Sequence, residues 1–165
     1  MSMLRTYQGG WTPLRPDGDV TAADTILDAS TAGSTLDWED RPTAKWWEVP
    51  MGANGLAVRF EMYDTSDGKT ARADFFGYRS NGPAMFLGDM SLAAGTARIR
   101  DLTTDLHIDT INEDVDAQIG GIAVYDSGTD RIAQINFDNV GYSHIVCLLT
   151  EFTAGTSLMP WVCWY

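Results

Sequence analysis

Short strand-like segments separated by turn residues recur through most of this sequence. Their regular spacing constrains the fold more than any other feature. In 56–63 the alternation is regular, with Leu56, Val58, Phe60 and Met62 on one face. Such alternation is typical of half-buried β-strands. Clusters of Gly, Asp, Asn, Ser and Pro separate the segments. The predicted strands are 45–49, 56–63, 70–79, 84–92, 96–100, 106–111, 119–125, 131–137, 143–152 and 158–165.

The number and spacing of these segments predict an all-β protein. Turn signals every ~8–12 residues are typical of an antiparallel β-sandwich or barrel. Eight core strands preceded by an extended segment favour a jelly-roll-like β-sandwich with an extended N-terminal arm, although strand count does not separate this topology from an immunoglobulin-like one. We expect residues 1–44 to form the N-terminal arm and first strand, and residues 45–165 to form the β-sandwich domain.

The charge of the chain is strongly negative and unevenly placed. Its 165 residues carry a net charge of −12, and 18 of the 23 acidic residues are Asp. Asp bonds to nearby backbone in turns and suits helix interiors poorly, so this excess fits turn-linked strands. Residues 101–140 hold nine acids and one base. The stretch either keeps the protein soluble or meets a cation or an electropositive partner.

Several classes of protein do not fit this composition. A nucleic-acid binder would need a basic surface, which a net charge of −12 argues against. No apolar run approaches the ~18 residues of a membrane span, and the first residues lack the apolar segment of a secretory signal. A hydrophobic content of 44% argues against disorder. We therefore expect neither nucleic acid nor a membrane as a partner.

The two cysteines, Cys147 and Cys163, lie symmetrically about Gly155 in a predicted turn. If Gly155 is the tip of a hairpin, the two thiols face each other across adjacent strands and could form a disulfide. The alternative is two small buried apolar side chains with free thiols, which the lack of a secretory signal favours. A zinc site is not expected, because His144 and Cys147 are three residues apart and point to opposite faces of a strand.

Catalytic motifs are not found in the sequence. It has no Gly-x-Ser-x-Gly elbow, no phosphate-binding loop and no dinucleotide fingerprint. The nearest fragment, 141–145, reads Gly-Tyr-Ser-His-Ile and lacks the second glycine. With 18 Asp and two His, pairs that resemble an acid–base site arise by chance. We expect no enzymatic activity and no cofactor, with a small hydrolase as the remotest alternative.

An acidic cluster in the most negative stretch is a candidate cation site. Its members are Asp105, Asp109, Glu113, Asp114 and Asp116. Calcium takes six to eight oxygen ligands, which such a cluster could supply. The spacing does not match an EF-hand loop, which needs a glycine at its sixth position. A solvated acidic loop is the alternative, and no other metal site is predicted.

Six tryptophans are candidates for contact with a partner: Trp11, Trp38, Trp46, Trp47, Trp161 and Trp164. Trp46 and Trp47 are adjacent, so on a strand they point to opposite faces. Trp161 shares one face with Cys163 and Tyr165, whereas Trp164 lies on the other. Both patterns place Trp outside the first core, and Trp is enriched at interfaces. The alternative is that a second sheet or the N-terminal arm covers these rings within one domain.

The chain resembles the small all-β accessory proteins of tailed-phage virions, such as capsid decoration and auxiliary head proteins. The likeness rests on an extended segment from Leu4 to about Ala44 and on a sandwich rich in Ala, Gly, Thr and Asp. It also rests on the segments 49–60, 75–78 and 159–165. No functional residue is carried over from this likeness.

This resemblance implies a non-enzymatic virion protein that binds the outside of a capsid and bridges neighbouring subunits. Its partners would be the major capsid protein or other virion subunits. It implies a homo-oligomer, with a trimer favoured, made in the host cytoplasm and located in the virion. The alternative function is a carbohydrate- or receptor-binding module in which a Trp such as Trp46 or Trp47 stacks on a sugar.

Overall fold

The computed structural model describes residues 11–13, 47–63, 70–80, 82–93, 96–111, 117–126, 131–138, 141–153 and 157–165. All regular structure in these ranges is β-strand. The strands are β1 (Thr12–Pro13), β2 (Trp47–Glu48), β3 (Gly55–Tyr63), β4 (Thr70–Tyr78), β5 (Ala84–Ala93), β6 (Thr96–Asp101), β7 (Leu106–Ile111), β8 (Ala117–Ile119), β9 (Ile122–Asp126), β10 (Arg131–Asp138), β11 (His144–Phe152) and β12 (Ser157–Trp164).

The strands form two six-stranded sheets in which the pairings are antiparallel. Sheet 1 has the order β1-β12-β3-β10-β9-β8, and sheet 2 has the order β2-β11-β4-β5-β6-β7. Strand β10 of sheet 1 contacts β5 and β6 of sheet 2, and the edge strands β7 and β8 contact each other. The two sheets therefore lie face to face, which confirms the predicted antiparallel β-sandwich.

Alternation along the strands builds the core between the sheets. In β4 and β10, every second residue is buried. The predicted inward face of β3 is confirmed, since Leu56, Val58, Phe60 and Met62 are all fully buried. Phe75 of sheet 2 lies 5.0 Å from Phe137 of sheet 1, measured between ring centroids, and joins the two inner faces.

Two predicted features between residues 117 and 138 have different outcomes. The turn residues at 126–130, Asp-Ser-Gly-Thr-Asp, predict a hairpin between their flanking strands. This hairpin is confirmed, because β9 pairs with β10 and Asp126 stands opposite Arg131. The single strand predicted over 119–125 is wrong. The chain reverses at Gly120, whose φ of +57° favours glycine, and β8 pairs back onto β9.

The hairpin that would bring the two cysteines face to face is not formed. Strand β11 belongs to sheet 2 and β12 to sheet 1, so the chain crosses from one sheet to the other between these strands. Cys147 stands opposite Phe75 in β4, and Cys163 stands opposite Ala57 in β3. Both thiols are free and buried, which confirms the alternative of two small buried side chains.

The jelly-roll topology stays a prediction. Strands β4 to β7 are consecutive neighbours in one sheet, whereas the strands of a jelly roll's two Greek keys are divided between two sheets. Of the predicted arm and first strand, 1–44, the described residues are 11–13, of which Thr12 and Pro13 pair with β12. The boundary at residue 45 and the extended form of the arm stay predictions.

Candidate functional site

Arg59 lies between two tryptophans on the outer face of sheet 1. Its guanidinium carbon is 4.6 Å from the ring centroid of Trp11 and 5.8 Å from that of Trp161. Arg59 and Trp161 stand opposite each other in the pairing of β3 with β12. Arg59 Nε also lies 3.0 Å from a carboxylate oxygen of Glu61. A guanidinium over an indole ring is attracted by the negative ring face, so the three side chains form a cation–π stack.

The same face carries a small apolar cluster at the end of β12. Ala57, Cys163 and Tyr165 are buried there, and the half-buried Trp11 packs against them. The Tyr165 ring lies on Gly55, where a Cβ would come within 2.3 Å of it. Since β1 pairs with β12, Trp11 and β1 together cover part of this surface. Trp161, which pairs with Pro13 of β1, is itself half-buried.

The other predicted Trp positions divide into two groups. Trp164 is half-buried and packs against the main core between the sheets. Trp47 begins β2, but its side chain lies outside the described residues, as do Trp38 and Trp46 altogether. The carbohydrate-binding alternative, which names Trp46 or Trp47 as the stacking residue, therefore stays a prediction.

A second polar cluster lies on the outer face of sheet 2, and we call it the Asp89 cluster. It consists of Arg72, Asp74, Asp89, Arg98 and Arg100. Asp89 is fully buried and accepts hydrogen bonds from Arg98 Nη2 (2.8 Å) and from Arg100 Nε. Arg72 Nη2 lies 3.6 Å from Asp89, and Arg72 Nε lies 3.3 Å from Asp74. Three cations thus surround one buried carboxylate.

The two carboxyl groups of this cluster have opposite pKa shifts. Burial alone would raise the pKa of Asp89, but the hydrogen bonds from Arg100 and Arg98 outweigh it and hold the pKa below its ordinary value. Burial raises the pKa of Asp74, and the neighbouring charge of Arg72 offsets this only in part. The cluster is therefore arranged to keep Asp89 ionised.

The candidate cation site is not assembled in the described part of the chain. Asp105 is exposed in the turn after β6, and Asp109 lies on β7 with its side chain undescribed. Glu113, Asp114 and Asp116 fall outside the described residues. Within those residues, no group of three or more His, Cys, Asp or Glu side chains is placed to hold a metal ion. The cation site stays a prediction.

The nearby Asp101 has a structural role instead. It is fully buried and accepts hydrogen bonds from the backbone N–H and the hydroxyl of Thr103 and from the hydroxyl of Thr104. These bonds close the turn between β6 and β7, in which Asp105 adopts a φ of +58°. An Asp that bonds its own turn in this way is typical of tight turns.

Ser143 and His144 form a close polar pair at the start of β11. Ser143 Oγ donates to the carbonyl oxygen of Tyr78 (3.2 Å) and lies 3.0 Å from His144 Nδ1. The donor and acceptor in the contact with His144 depend on the tautomer of the imidazole. The bond to Tyr78 crosses from the start of β11 to β4. The pair therefore anchors the start of the strand to β4.

Both cysteines are shielded, and their surroundings differ. Cys147 belongs to the core between the sheets, whereas Cys163 lies in the outer cluster with Trp11. Burial raises the pKa of the Cys163 thiol. A thiol with a raised pKa has little thiolate at neutral pH and reacts slowly.

Sequence reasoning missed the Asp89 cluster, although a signal for it was present. Arg98 and Arg100 alternate on one face of β6, and Asp89 lies on β5 just across a short turn. Pairing Ala93 with Thr96 across that turn sets Asp89 opposite Arg100. The Arg59 stack had no such signal, because Trp11 and Trp161 come together only through the sheet.

In comparisons with known proteins, no family model, curated protein or solved structure matched this chain. In the described residues, no helix has the length and apolar character to span a membrane.

Proposed function

We propose that this protein is a non-enzymatic structural component of a tailed-phage virion that binds the outside of the capsid and bridges neighbouring subunits. The resemblance of its sequence to phage accessory proteins supports this proposal. The observation that carries it is one flank of the sandwich, where strands from the N-terminal part of the chain meet both sheets. Its partners are the major capsid protein or other virion subunits.

That flank has two long strands with short neighbours. Strand β12 pairs with β1 only at Val162 and Trp161, and β11 pairs with β2 only at His144 and Ile145. The opposite edges, β7 and β8, contact each other, so β11 and β12 lie at the same flank. In the described part of the chain, no strand is paired with the rest of these two edges.

Strand edges of this kind are suited to assembly. An edge presents backbone N–H and C=O groups that a strand from another chain can pair with. The N-terminal residues already use this mode, since Thr12 and Pro13 add to β12. A neighbouring subunit that adds a strand to either edge would be bridged to this chain. The proposal includes an arm in residues 1–44 and a homo-oligomer, with a trimer favoured.

Co-sedimentation tests this function. Purified chain at micromolar concentration, mixed with expanded capsids of the phage that encodes it, should sediment with the capsids and stay in the supernatant without them. An unrelated protein of similar negative charge is the control for adsorption. Absence of the chain from the capsid pellet would reject the virion role.

A further inference from the structure

The connections between successive strands alternate between the two ends of the sandwich. Glu48, Tyr78 and Asp101, which end β2, β4 and β6, stand opposite the first residues of β11, β5 and β7. Asp138, which ends β10, likewise stands opposite Gly55, the first residue of β3. The connections that meet at this end are residues 49–54, 79–83, 102–105, 120–121 and 139–143.

The two ends differ in charge. The connections at the end just described hold one base, Arg79, and one acid, Asp105, and we call this surface the neutral end. The connections at the opposite end hold six acids and one base, and they are residues 64–69, 94–95, 112–116, 127–130 and 153–156. Copies of a chain with a net charge of −12 repel each other. The repulsion is weakest when neutral ends meet, because the acidic connections then point away from each other.

The exposed large apolar side chains of the described residues also lie at the neutral end. They are Met51, which is fully exposed, Met85 and Leu102. In the strand order of sheet 2, Tyr142 before β11 and Arg79 after β4 stand between Met51 and Met85. The Arg79 guanidinium lies 4.8 Å from the centroid of the Tyr142 ring. Met, Tyr and Arg are enriched at protein interfaces, and Asp, Glu and Lys are depleted, so the neutral end has the composition of a contact surface.

Backbone hydrogen bonds hold the connections that present these side chains. Beside Met51, the N–H of Asn54 donates to the carbonyl oxygen of Tyr165 (2.6 Å). The N–H of Leu102 itself donates to the carbonyl oxygen of Leu87 (2.8 Å). A surface whose backbone is already ordered loses less entropy when it binds a partner.

We propose that copies of this chain associate with one another through the neutral end and bury Met51, Met85 and Leu102 in the contact. This inference rests on the homo-oligomer that the proposed function includes, and it names the surface that forms it. Six strands make a sheet about 24 Å wide, and packed sheets lie ~10 Å apart. Each copy therefore buries on the order of 500 Å² with its side chains included, near the lower limit of specific interfaces. We expect weak association, with a dissociation constant on the order of 100 μM.

Sedimentation equilibrium of the full chain, from about 10 to about 500 μM, tests this contact on both sides of that constant. The mean mass of the wild type should rise above that of the monomer as the concentration increases. Met51→Glu and Leu102→Glu should each weaken association about tenfold or more, because each buries an unpaired charge in the contact. Gln134→Glu adds the same charge at a half-buried position on the outer face of sheet 1, and it should associate like the wild type.

Salt gives a second readout that needs no variant. Salt screens the repulsion between acidic copies, so wild-type association should strengthen between about 0.05 and about 0.5 M salt. Weakening by salt would show a contact made by ion pairs and would overturn the proposal.

Two further results would reject the neutral end as the contact. One is a wild type that stays monomeric at the highest concentration, and the other is equal weakening by Gln134→Glu and Met51→Glu. Thermal unfolding of each variant checks that its fold is intact, which we expect because Met51 and Leu102 are exposed. Capsid sedimentation tests the virion role separately, so a chain that sediments with capsids but stays monomeric rejects only this contact. A chain that associates through the neutral end but does not bind capsids rejects only the virion role.

Discussion

At the residue scale, the positions that should tolerate substitution least are those where a charge or a tightly packed backbone is buried. Asp89 has no exposed surface and depends on its arginines, whereas the neighbouring Asp74 keeps some contact with solvent and has a raised pKa. Gly88 lies beside Asp89 at an irregularity in the pairing of β4 with β5. These two adjacent residues of β5 give two predictions.

Asp89→Asn should lower stability at pH 7 by roughly 2–4 kcal/mol, because it leaves three arginines beside a neutral group. Asp74→Asn is the matched control. Its carboxylate is disfavoured by burial, so its loss should change stability by less than about 1 kcal/mol. Urea unfolding followed by Trp fluorescence measures both. Equal effects of the two substitutions would show that Asp89 does not hold the cluster together.

Gly88→Ala should prevent or severely weaken folding. A Cβ at this position would lie 2.0 Å from the carbonyl oxygen of Arg100, and the φ of +156° is unfavourable for other residues. Gly52→Ala is the control, since Gly52 also has a positive φ but no atom within 4 Å of the added carbon. It should cost about 1 kcal/mol. Thermal unfolding separates them, and similar melting temperatures would contradict the crowding argument.

At the element scale, the two-residue strand β1 determines how part of the outer face of sheet 1 is covered. It brings Trp11 onto Arg59 and onto the cluster that buries Cys163. Pro13 has no N–H to donate to β12, so β1 makes fewer backbone hydrogen bonds than another two-residue strand could. The packing of the Trp11 ring on the outer cluster adds to this pairing.

Trp11→Ala should raise the rate at which Ellman's reagent labels Cys163 several-fold, because the ring that packs over the thiol cluster is removed. Cys147 lies between the sheets and should keep its wild-type rate. Labelling followed by mass spectrometry assigns each site. The control is Met51→Ala at a fully exposed position. An unchanged rate at Cys163 in Trp11→Ala would mean that β1 does not protect this cluster.

At the scale of the whole molecule, the two sheets are held by aromatic and aliphatic packing and by one buried arginine. Phe75 contacts Phe60 and Phe137 across the sandwich. Arg131 of sheet 1 is buried and donates to the carbonyl oxygen of Ala93 in sheet 2. Apolar packing does not change with pH, so the acid sensitivity of the fold should come from buried carboxylates such as Asp89.

The contribution of Asp89 to stability should disappear in acid. Its pKa is lower in the folded chain than in the unfolded chain, so its stabilising effect is complete above the unfolded value of about 4. It is lost as the pH falls through the lower folded value. The difference in unfolding free energy between the wild type and Asp89→Asn should therefore shrink below about pH 4. A difference that stays constant from pH 7 to acid would contradict the ionised state of Asp89.

The sequence by itself determined the class of fold and the location of most strands. Period-two burial is a local property, so 56–63, 70–79 and 131–137 could be placed from side-chain pattern alone. The break at Gly120 was missed, because a two-residue turn inside an apolar run leaves little local signal. The Asp89 cluster could have been predicted from the sequence, because the short connection between β5 and β6 sets a register that places Asp89 opposite Arg100.

Only the tertiary structure decided which strands share a sheet. The turn around Gly155 looks the same in sequence whether it closes a hairpin or crosses between sheets, and the crossing placed Cys147 and Cys163 in different sheets. It also brought Trp11, Arg59 and Trp161 together from three distant parts of the chain. The physical reason is that local pattern fixes which face of a strand is buried, whereas strand order depends on how all the faces pack at once.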